Sequence, residues 1–368
     1  MQRMAKQRQG LAPAKMLRTP AALAAAGLAP PERLAALEQV AARYAVSLTP
    51  DVIDIIHSDD AADPIARQFV PDPAELAVQP EERADPIGDD AHSPVEGIVH
   101  RYPDRVLLKL VHICPVYCRF CFRREMVGPG HRRSLSRAAL VRALDYIRAR
   151  PQIWEVILTG GDPLVLSSRR LREVVHALES IEHVKIVRVH TRVPVVAPAR
   201  VTAEVVRAIK ARGKATYVVL HANHARELSA RARAACARII DAGIPMLSQS
   251  VLLRGVNDDP DTLAVLMRTL VENRIKPYYL HHGDLAPGTG HLRTTIPEGQ
   301  ELVRALHGRL SGLCQPTYVL DIPGGHGKSP IGPSYVERVA SAGDNPRFEI
   351  EDFNGIRHLY PAARQDDS

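Results

Sequence analysis

Three cysteines lie within eight residues of one another, in the stretch HICPVYCRFCFRRE (residues 112–125). Cys114, Cys118 and Cys121 follow the spacing C-x3-C-x2-C, and the whole chain contains five cysteines. A structural zinc site needs a fourth ligand, usually from a second cysteine pair, and the sequence has no such pair. Three thiolates can instead ligate three irons of a four-iron cluster and leave the fourth iron without a protein ligand. The trio therefore predicts an iron–sulfur cluster whose open iron can bind a small molecule.

Two glycine-rich stretches also carry residues suited to chemistry. In LTGGDPL, Gly160 and Gly161 precede Asp162, and glycines there let another group approach the backbone closely. In YVLDIPGGHGKSPI, Lys328 follows three glycines, but a phosphate-binding P-loop would need glycine where Ile322 stands. An uncrowded lysine in such a loop instead suits Schiff-base chemistry with a carbonyl cofactor.

The elements that must position these residues follow a regular alternation from residue 105 onward. Amphipathic segments of helical period separate most of a set of short β-branched runs, which predicts parallel βαβ units and a closed or partly closed (β/α) barrel. Seven runs are predicted as strands: RVLLKLVHI, WEVILTG, VKIVRVH, ATYVVLHA, PMLSQSVLL, KPYYLHH and PTYVLDI. In such barrels the chemistry lies at the C-terminal ends of the strands. Several unusual residues follow predicted strands there: Cys114, the Gly160–Asp162 turn, His221, Asp284 and Asp321.

Composition narrows the functional class. The chain has 368 residues, 45% of them hydrophobic, which is enough for a globular enzyme, and no apolar run long enough to span a bilayer. Its net charge of +7 is dispersed and aromatic residues make up only 4%, so we expect an enzyme for anionic ligands rather than a nucleic-acid-binding protein. The odd cysteine count indicates a reducing compartment, and we expect a cytoplasmic protein. Residues 1–31 lack Asp and Glu and are interpreted as a disordered leader, in preference to a transit peptide.

The cysteine trio, with Phe120 before its last member, resembles the signature of the radical S-adenosylmethionine superfamily. Over residues 45–340 the sequence further resembles the lysine 2,3-aminomutases, notably in HTRVPVVAPARVT, LLRGVNDD, PYYLHHGDLAPGTGHLRT and the Lys328 segment. The resemblance implies a partial (β/α)6-type radical SAM barrel with an N-terminal helical extension. It also implies a [4Fe-4S] cluster, S-adenosyl-L-methionine and pyridoxal 5′-phosphate as cofactors, an external electron donor, and conversion of L-lysine to β-lysine through a 5′-deoxyadenosyl radical.

The resemblance also implies a role for each matching residue. Lys328 would be the catalytic residue and the attachment point of pyridoxal phosphate, and Arg124 is expected to be a solvated neighbour of the site. The cluster ligands would be Cys114, Cys118 and Cys121; the cofactor-binding residues Arg105, Tyr278, Gly160, Gly161, Asp162, His221 and Gln249; and the substrate-binding residues Arg123, Asp284 and Asp321. Two aspartates suit the distant ammonium of lysine, because a sheltered cation needs negative partners.

We expect an N-terminal extension over residues 1–100, the barrel core over 101–290, a segment carrying Lys328 over 291–340 and a tail over 341–368. The family's longer members carry C-terminal zinc cysteines that this sequence lacks, which leaves a homo-oligomer open. Alternative functions are an aminomutase that supplies β-lysine for modification of translation elongation factor P, or one acting on another amino acid. A non-enzyme alternative is an iron–sulfur electron-transfer or regulatory protein, which would leave the lysine and aspartates unexplained.

Overall fold

The computed structural model describes residues 15–128, 130, 134–340 and 346–361. Nine strands form one sheet in chain order, and β2 to β8 run parallel, while β1 and β9 pair antiparallel with β2 and β8. The strands are β1 (Ile98–Tyr102), β2 (Arg105–Val111), β3 (Glu155–Gly160), β4 (Ile186–Thr191), β5 (Ala215–His221), β6 (Met246–Val251), β7 (Ile275–His281), β8 (Thr317–Ile322) and β9 (Gly327–Pro330). All seven predicted strands are therefore confirmed, as β2 to β8.

Helices occupy most of the connections between the parallel strands, as expected of βαβ units. The helices before the sheet are α1 (Pro20–Ala25), α2 (Leu34–Arg43), α3 (Pro50–Ile53) and α4 (Ala66–Phe69); those within it are α5 (Arg137–Arg148), α6 (Ser168–Glu179), α7 (Val193–Val196), α8 (Ala203–Ile209), α9 (Ala230–Asp241), α10 (Pro260–Glu272) and α11 (Ile296–Leu306). A Ser, Thr or Asp side chain accepts a hydrogen bond from the first turn of each of the six longer crossover helices, α5, α6 and α8 to α11. These N-caps fix where each helix begins.

One face of the sheet packs in the hydrophobic core, and the other lines an internal cavity. In β4, the side chains of Val187 and Val189 belong to the hydrophobic core, whereas Arg188 and His190 line an internal cavity. This alternation follows from the two-residue period of a strand. The apolar faces of the helices cover the core side, and the opposite side is left for polar residues. The predicted barrel-like α/β fold is thus confirmed, and its inner face holds the candidate site.

Three features were not predicted. Strand β1 precedes the barrel, and Lys328 lies in β9, paired with Asp321 of β8, instead of in a loop. Three further strands form a separate antiparallel sheet: β10 (Val336–Val339), β11 (Arg347–Glu351) and β12 (Arg357–Tyr360). Two of these lie in the expected tail. Residues 1–14 of the expected disordered leader lie outside the described residues, but the prediction is wrong for residues 15–31, which include helix α1 with Leu23 buried in the core. Within the described ranges, no helix is both long and apolar enough to cross a membrane.

Candidate active site

One cavity inside the barrel, which reaches the C-terminal ends of the parallel strands, is lined by every site residue predicted from the sequence. Its empty volume is about 1670 Å³, including space open to solvent at its mouth. The predicted residues that line it are Arg105, Cys114, Cys118, Cys121, Arg123, Gly160, Gly161, Asp162, His221, Gln249, Tyr278, Asp284, Asp321 and Lys328. The strand-end rule therefore found the right place, and the individual roles depend on what each side chain contacts.

The three cysteines lie in the loop after β2 as free thiols. Burial raises the pKa of all three, that of Cys118 to about 11, so the thiols are neutral until a metal displaces the proton. No three His, Cys, Asp or Glu side chains of the described residues converge on a site for one metal ion. A four-iron cluster makes a different demand, because each thiolate ligates a separate iron. Three half-buried cysteines that line one cavity fit such a cluster.

The GGD turn fixes the cysteine loop from the side of β3. The backbone N–H of Gly161 donates to the carbonyl of Val111 at 2.6 Å, and that of Asp162 donates to the carbonyl of Ile113 at 3.0 Å. Gly160 has φ +119°, and a Cβ on either glycine would collide with the backbone of Val111 or Ile113. The close approach that requires glycine is therefore to the strand leading into Cys114, which is a physical reason that the sequence did not reveal.

The carboxylate of Asp162 is fully used inside the protein. It accepts hydrogen bonds from Thr191 Oγ1 at 2.8 and 2.9 Å and from the backbone N–H groups of Leu164, Arg192 and Val193 at 2.7 to 3.1 Å. These bonds join the ends of β3 and β4. Asp162 therefore holds the wall of the cavity together, and its predicted contact with a cofactor stays a prediction.

Arg124 is not the solvated neighbour that the sequence suggested. It is 8% exposed and pairs with Glu75, which is fully buried and also receives the guanidinium of Arg119 at 2.6 Å. Burial favours the neutral form of Glu75, but the two arginines outweigh it and lower its pKa. The guanidinium of Arg124 lies 3.5 Å from the ring centroid of Tyr44. This buried cluster anchors the cysteine loop to the N-terminal extension.

Arg123 points into the cavity, as predicted, but it already has an anionic partner. Its Nε and Nη2 donate to Asp89 Oδ2 at 3.0 and 2.8 Å, and Arg101 donates to the other oxygen at 3.0 Å. Burial opposes the charge of Asp89, but Arg123 outweighs it and lowers the pKa of that carboxyl. The pair holds the Arg123 fork in one orientation, with Nη1 free of any hydrogen bond to Asp89.

Asp321 binds the ammonium of Lys328 with both oxygens, at 2.6 and 2.8 Å. His281 Nδ1 lies 3.4 Å from Oδ2 of the same carboxylate. Burial alone would raise the pKa of Asp321, but His281 and the Lys328 charge together lower it. In this structure the ammonium that Asp321 binds is that of Lys328, and the predicted contact with a substrate ammonium stays a prediction.

Asp284 has the opposite electrostatic character. Burial in the enclosed cavity, and then the nearby charge of Asp321, raise the pKa of Asp284 to about 7. The carboxylate thus titrates near neutral pH even with the Lys328 ammonium on the neighbouring Asp321. An added cation would favour ionisation of Asp284.

The wall near Lys328 carries aromatic and basic side chains. The rings of Tyr278 and Tyr279 stack with centroids 3.8 Å apart, and Arg188 reaches Glu155 at 2.9 Å. Arg105 is a third exposed along its side chain and pairs with its neighbour Asp104. Arg105, Tyr278 and Lys328 line one cavity, so an anion-binding group, an aromatic face and an amine are available together. This set fits a planar aromatic aldehyde that bears a phosphate.

Two histidines lie on the inner face next to the cysteine loop. Burial, and then the charges of Arg188 and Arg192 respectively, lower the pKa of His190 well below its usual value and that of His221 to about 3. Both rings are therefore neutral, and both Nε2 atoms lack a hydrogen-bond partner among the described residues. His221 was predicted to contact S-adenosylmethionine. His190 was not predicted, although it lies two residues after Arg188 and therefore on the same face of β4.

Other residues of the site were missed. Arg192 could have been found, because it lies two residues after the third predicted strand, where the strand-end rule applies. Asp89 gave no signal, because it comes from an irregular segment before β1 and reaches the cavity only through the tertiary fold. The residues that line the cavity or hold its side chains and were not predicted include Glu75, Asp89, Arg101, Arg188, His190, Arg192, Tyr279 and His281.

Comparison with known proteins agrees with the geometry. Residues 108–266 match the family model described as the radical SAM superfamily. The chain is 40% identical over 315 residues to L-lysine 2,3-aminomutase of Clostridium subterminale, covering 86% of this chain and 74% of the relative. It is 34% identical to L-lysine 2,3-aminomutase of Escherichia coli, covering 82% and 87% of the two chains. Glutamate 2,3-aminomutase of Clostridioides difficile is also 34% identical, with 82% and 70% covered. The chain is therefore an isomerase of the lysine 2,3-aminomutase family, within the radical SAM superfamily.

Proposed function

We propose that the protein is an L-lysine 2,3-aminomutase, which moves the amino group of L-lysine from C2 to C3 and forms β-lysine. The observation that carries the substrate assignment is the binding of the Lys328 ammonium by both oxygens of Asp321, beside a second carboxylate, Asp284. A glutamate substrate would bring a third carboxylate to this end of the cavity, at a cost in repulsion and desolvation.

The proposed cofactors are a [4Fe-4S] cluster on Cys114, Cys118 and Cys121, S-adenosyl-L-methionine near the GGD turn, and pyridoxal 5′-phosphate at Lys328. When bound, the cluster and S-adenosyl-L-methionine supply a carbon radical that removes a hydrogen atom, and pyridoxal phosphate supplies the carbonyl group that carries the migrating nitrogen. Arg105 is proposed to bind the phosphate and Tyr278 to pack against the ring. The neutral His221 and Gln249 are proposed to offer hydrogen bonds without adding charge.

The two ends of the substrate are held by opposite charges. Arg123 is proposed to bind the substrate carboxylate through its free Nη1, while Asp89 keeps the guanidinium in place. Asp284 and Asp321 are proposed to bind the far ammonium. Because Asp321 pairs with Lys328 in this structure, that lysine must leave the carboxylate when it binds the cofactor, which frees Asp321 for the substrate.

The experiment is an anaerobic assay of the iron-loaded protein with S-adenosyl-L-methionine, pyridoxal phosphate and a chemical reductant, supplied in parallel with lysine, glutamate and arginine. We expect β-lysine alone, separated by chromatography from its isomer lysine before mass spectrometry, and no bound pyridoxal phosphate absorption in a desalted Lys328→Ala variant. Conversion of glutamate with lysine untouched would contradict the substrate assignment. A cluster without any bound pyridoxal phosphate would favour the electron-transfer alternative.

The destination of β-lysine is a separate proposal. We favour free lysine as the substrate and a cytoplasmic enzyme that takes electrons from an external donor. Supply of β-lysine for modification of translation elongation factor P uses the same reaction. Mass measurement of that factor in cells with and without this protein distinguishes the two destinations.

A further inference from the structure

Arg192 connects the cysteine loop to the rest of the barrel. It directly follows β4, and its side chain is almost entirely buried. Its Nη1 lies 3.6 Å from Sγ of Cys118, within hydrogen-bonding distance of sulfur. This contact places a permanent positive charge and an N–H donor against one of the three sulfurs.

The guanidinium is held in place by groups from two distant parts of the chain. Its Nη2 donates to Gln68 Oε1 at 2.8 Å and to Glu227 Oε2 at 2.7 Å. The other oxygen of Glu227 accepts from the backbone N–H groups of Asn223 and His224 at 2.7 and 3.0 Å. The carboxylate of Glu227 therefore cannot rotate without losing those bonds, and moving Nη2 away from it would break a buried ion pair.

The other terminal nitrogen of the Arg192 guanidinium, Nη1, faces the sulfur of Cys118. The rings of Phe69 and Phe120 lie 5.1 and 5.2 Å from the guanidinium carbon, and they keep water from its faces. Because Nη2 serves Glu227 and Gln68, Nη1 is the atom left for Cys118. A fork with one prong fixed by a carboxylate and the other on a thiol is a geometry that lysine cannot reproduce.

We propose that Arg192 raises the reduction potential of the cluster by donating a hydrogen bond from Nη1 to the Cys118 thiolate. Reduction adds an electron, so the reduced cluster and its thiolates carry more negative charge than the oxidised ones. A fixed donor and a nearby cation favour the more negative state. Arg192 is thus a positioning and tuning residue that makes the cluster accessible to a weaker electron donor. This inference rests on the cluster of the proposed function, but not on the substrate or on pyridoxal phosphate.

The alternative is a purely structural clamp, in which Arg192 only neutralises Glu227. Two substitutions separate the roles. Arg192→Lys keeps a cation for Glu227 but removes the second prong. The double variant Arg192→Met with Glu227→Gln removes both charges, so that no buried charge is left unpaired. Arg200→Gln is the matched control, because the Arg200 side chain donates to the carbonyls of Leu164 and Val165 and its loss removes the same charge elsewhere.

The test is a redox titration of the anaerobically reconstituted full chain, monitored by the electron paramagnetic resonance signal of the reduced cluster, with iron content measured on the same samples. We expect parental iron content in all variants. At the potential where half of the parent's clusters are reduced, we expect the ratio of reduced to oxidised cluster to fall at least threefold in both Arg192 variants. That corresponds to roughly 30 mV for one electron. Arg200→Gln should titrate like the parent.

Parental potentials in iron-replete Arg192→Lys and in the double variant would overturn the proposal and leave a structural clamp. Loss of iron from both variants, with thermal unfolding of the iron-free chains unchanged, would also overturn it, because Arg192 would then serve assembly instead of potential. Failure of the parent itself to bind a four-iron cluster would refute the proposed function and is distinguished from both outcomes by the parent's own iron content.

Discussion

The two aspartates proposed to hold the substrate's far ammonium make lysine affinity depend on pH in a definite direction. Asp284 has a pKa of about 7 in the substrate-free cavity, where burial and the charge of Asp321 raise it and the charges of Lys328 and Arg123 partly offset them. When Asp284 is protonated, it offers the substrate ammonium a neutral carbonyl oxygen instead of a negatively charged carboxylate. Lysine therefore binds the ionised form, and affinity is lost as pH falls through 7. The ammonium itself stays charged, since its ordinary pKa is about 10.4.

The magnitude follows from the ionised fraction. With a pKa of about 7, roughly 90% of Asp284 is ionised at pH 8 and roughly 10% at pH 6. The apparent dissociation constant for lysine should therefore rise about tenfold between these pH values, which equals about 1.4 kcal/mol. The assay is kcat/KM from initial rates at low lysine concentration, measured at half-unit steps from pH 6 to pH 8.5.

The control is Asp284→Asn, which removes the titrating group and keeps the shape. Its kcat/KM should be low and should lose the tenfold pH dependence, so that the ratio of parent to variant isolates Asp284 from other titrating groups. A parent and a variant with parallel pH profiles would refute the reasoning. A profile that falls toward high pH instead would show that the sign is wrong.

Three more outcomes are expected. Asp321→Asn should raise the dissociation constant for lysine at least about 30-fold, or about 2 kcal/mol, because a desolvated charge pair loses one partner. The iron content of this variant should stay parental. An equal loss of iron would contradict the substrate role of Asp321. Cys118→Ala should lose the four-iron cluster, which iron and sulfide analysis measures. The matched variant Cys236→Ala, in α9 and away from the cavity, should keep the cluster. A full cluster in Cys118→Ala would contradict the ligand assignment. Glu75→Gln should lower the free energy of unfolding in urea by about 3–5 kcal/mol, because two buried guanidiniums lose their anion, while the exposed Glu182→Gln should have little effect. Because the pKa of Glu75 is lowered on folding, its contribution to stability is present above pH 4.5 and is lost as the pH falls through the folded-state pKa, and the variant should lack this acid-dependent part.

Much of the fold was accessible from the sequence because its signals are local. The seven parallel strands were predicted from runs of β-branched residues, and capping residues such as Ser136 and Thr295 stand directly before helices. The sheet's outer strands were harder. Strand β9 contains glycine and proline beside Lys328, and such residues ordinarily predict a turn. The pairing of Lys328 with Asp321 supplies the ladder and the ion pair that override this preference.

The site was partly predictable for the same reason. Residues in the loops that follow strands, such as Asp284, can be found by rule, because parallel strands end at one edge of the barrel. Their partners cannot. Glu75 and Asp89 come from segments that reach the cavity only after folding, and nothing in their local sequence indicates that each neutralises buried arginines. The sequence therefore indicated which side chains line the cavity, whereas the structure identified what orients them.

The central claim is that nitrogen moves from C2 to C3 of lysine within this cavity. The most direct measurement uses lysine labelled with ¹⁵N at the α-amino group and with ¹³C at C3, given to the reduced, cofactor-loaded enzyme under anaerobic conditions. The account predicts that ¹³C NMR of the product shows one-bond coupling between C3 and ¹⁵N, together with retention of the label in β-lysine. Recovery of the labelled lysine without such coupling, from protein that holds its cluster and its pyridoxal phosphate, would contradict the account.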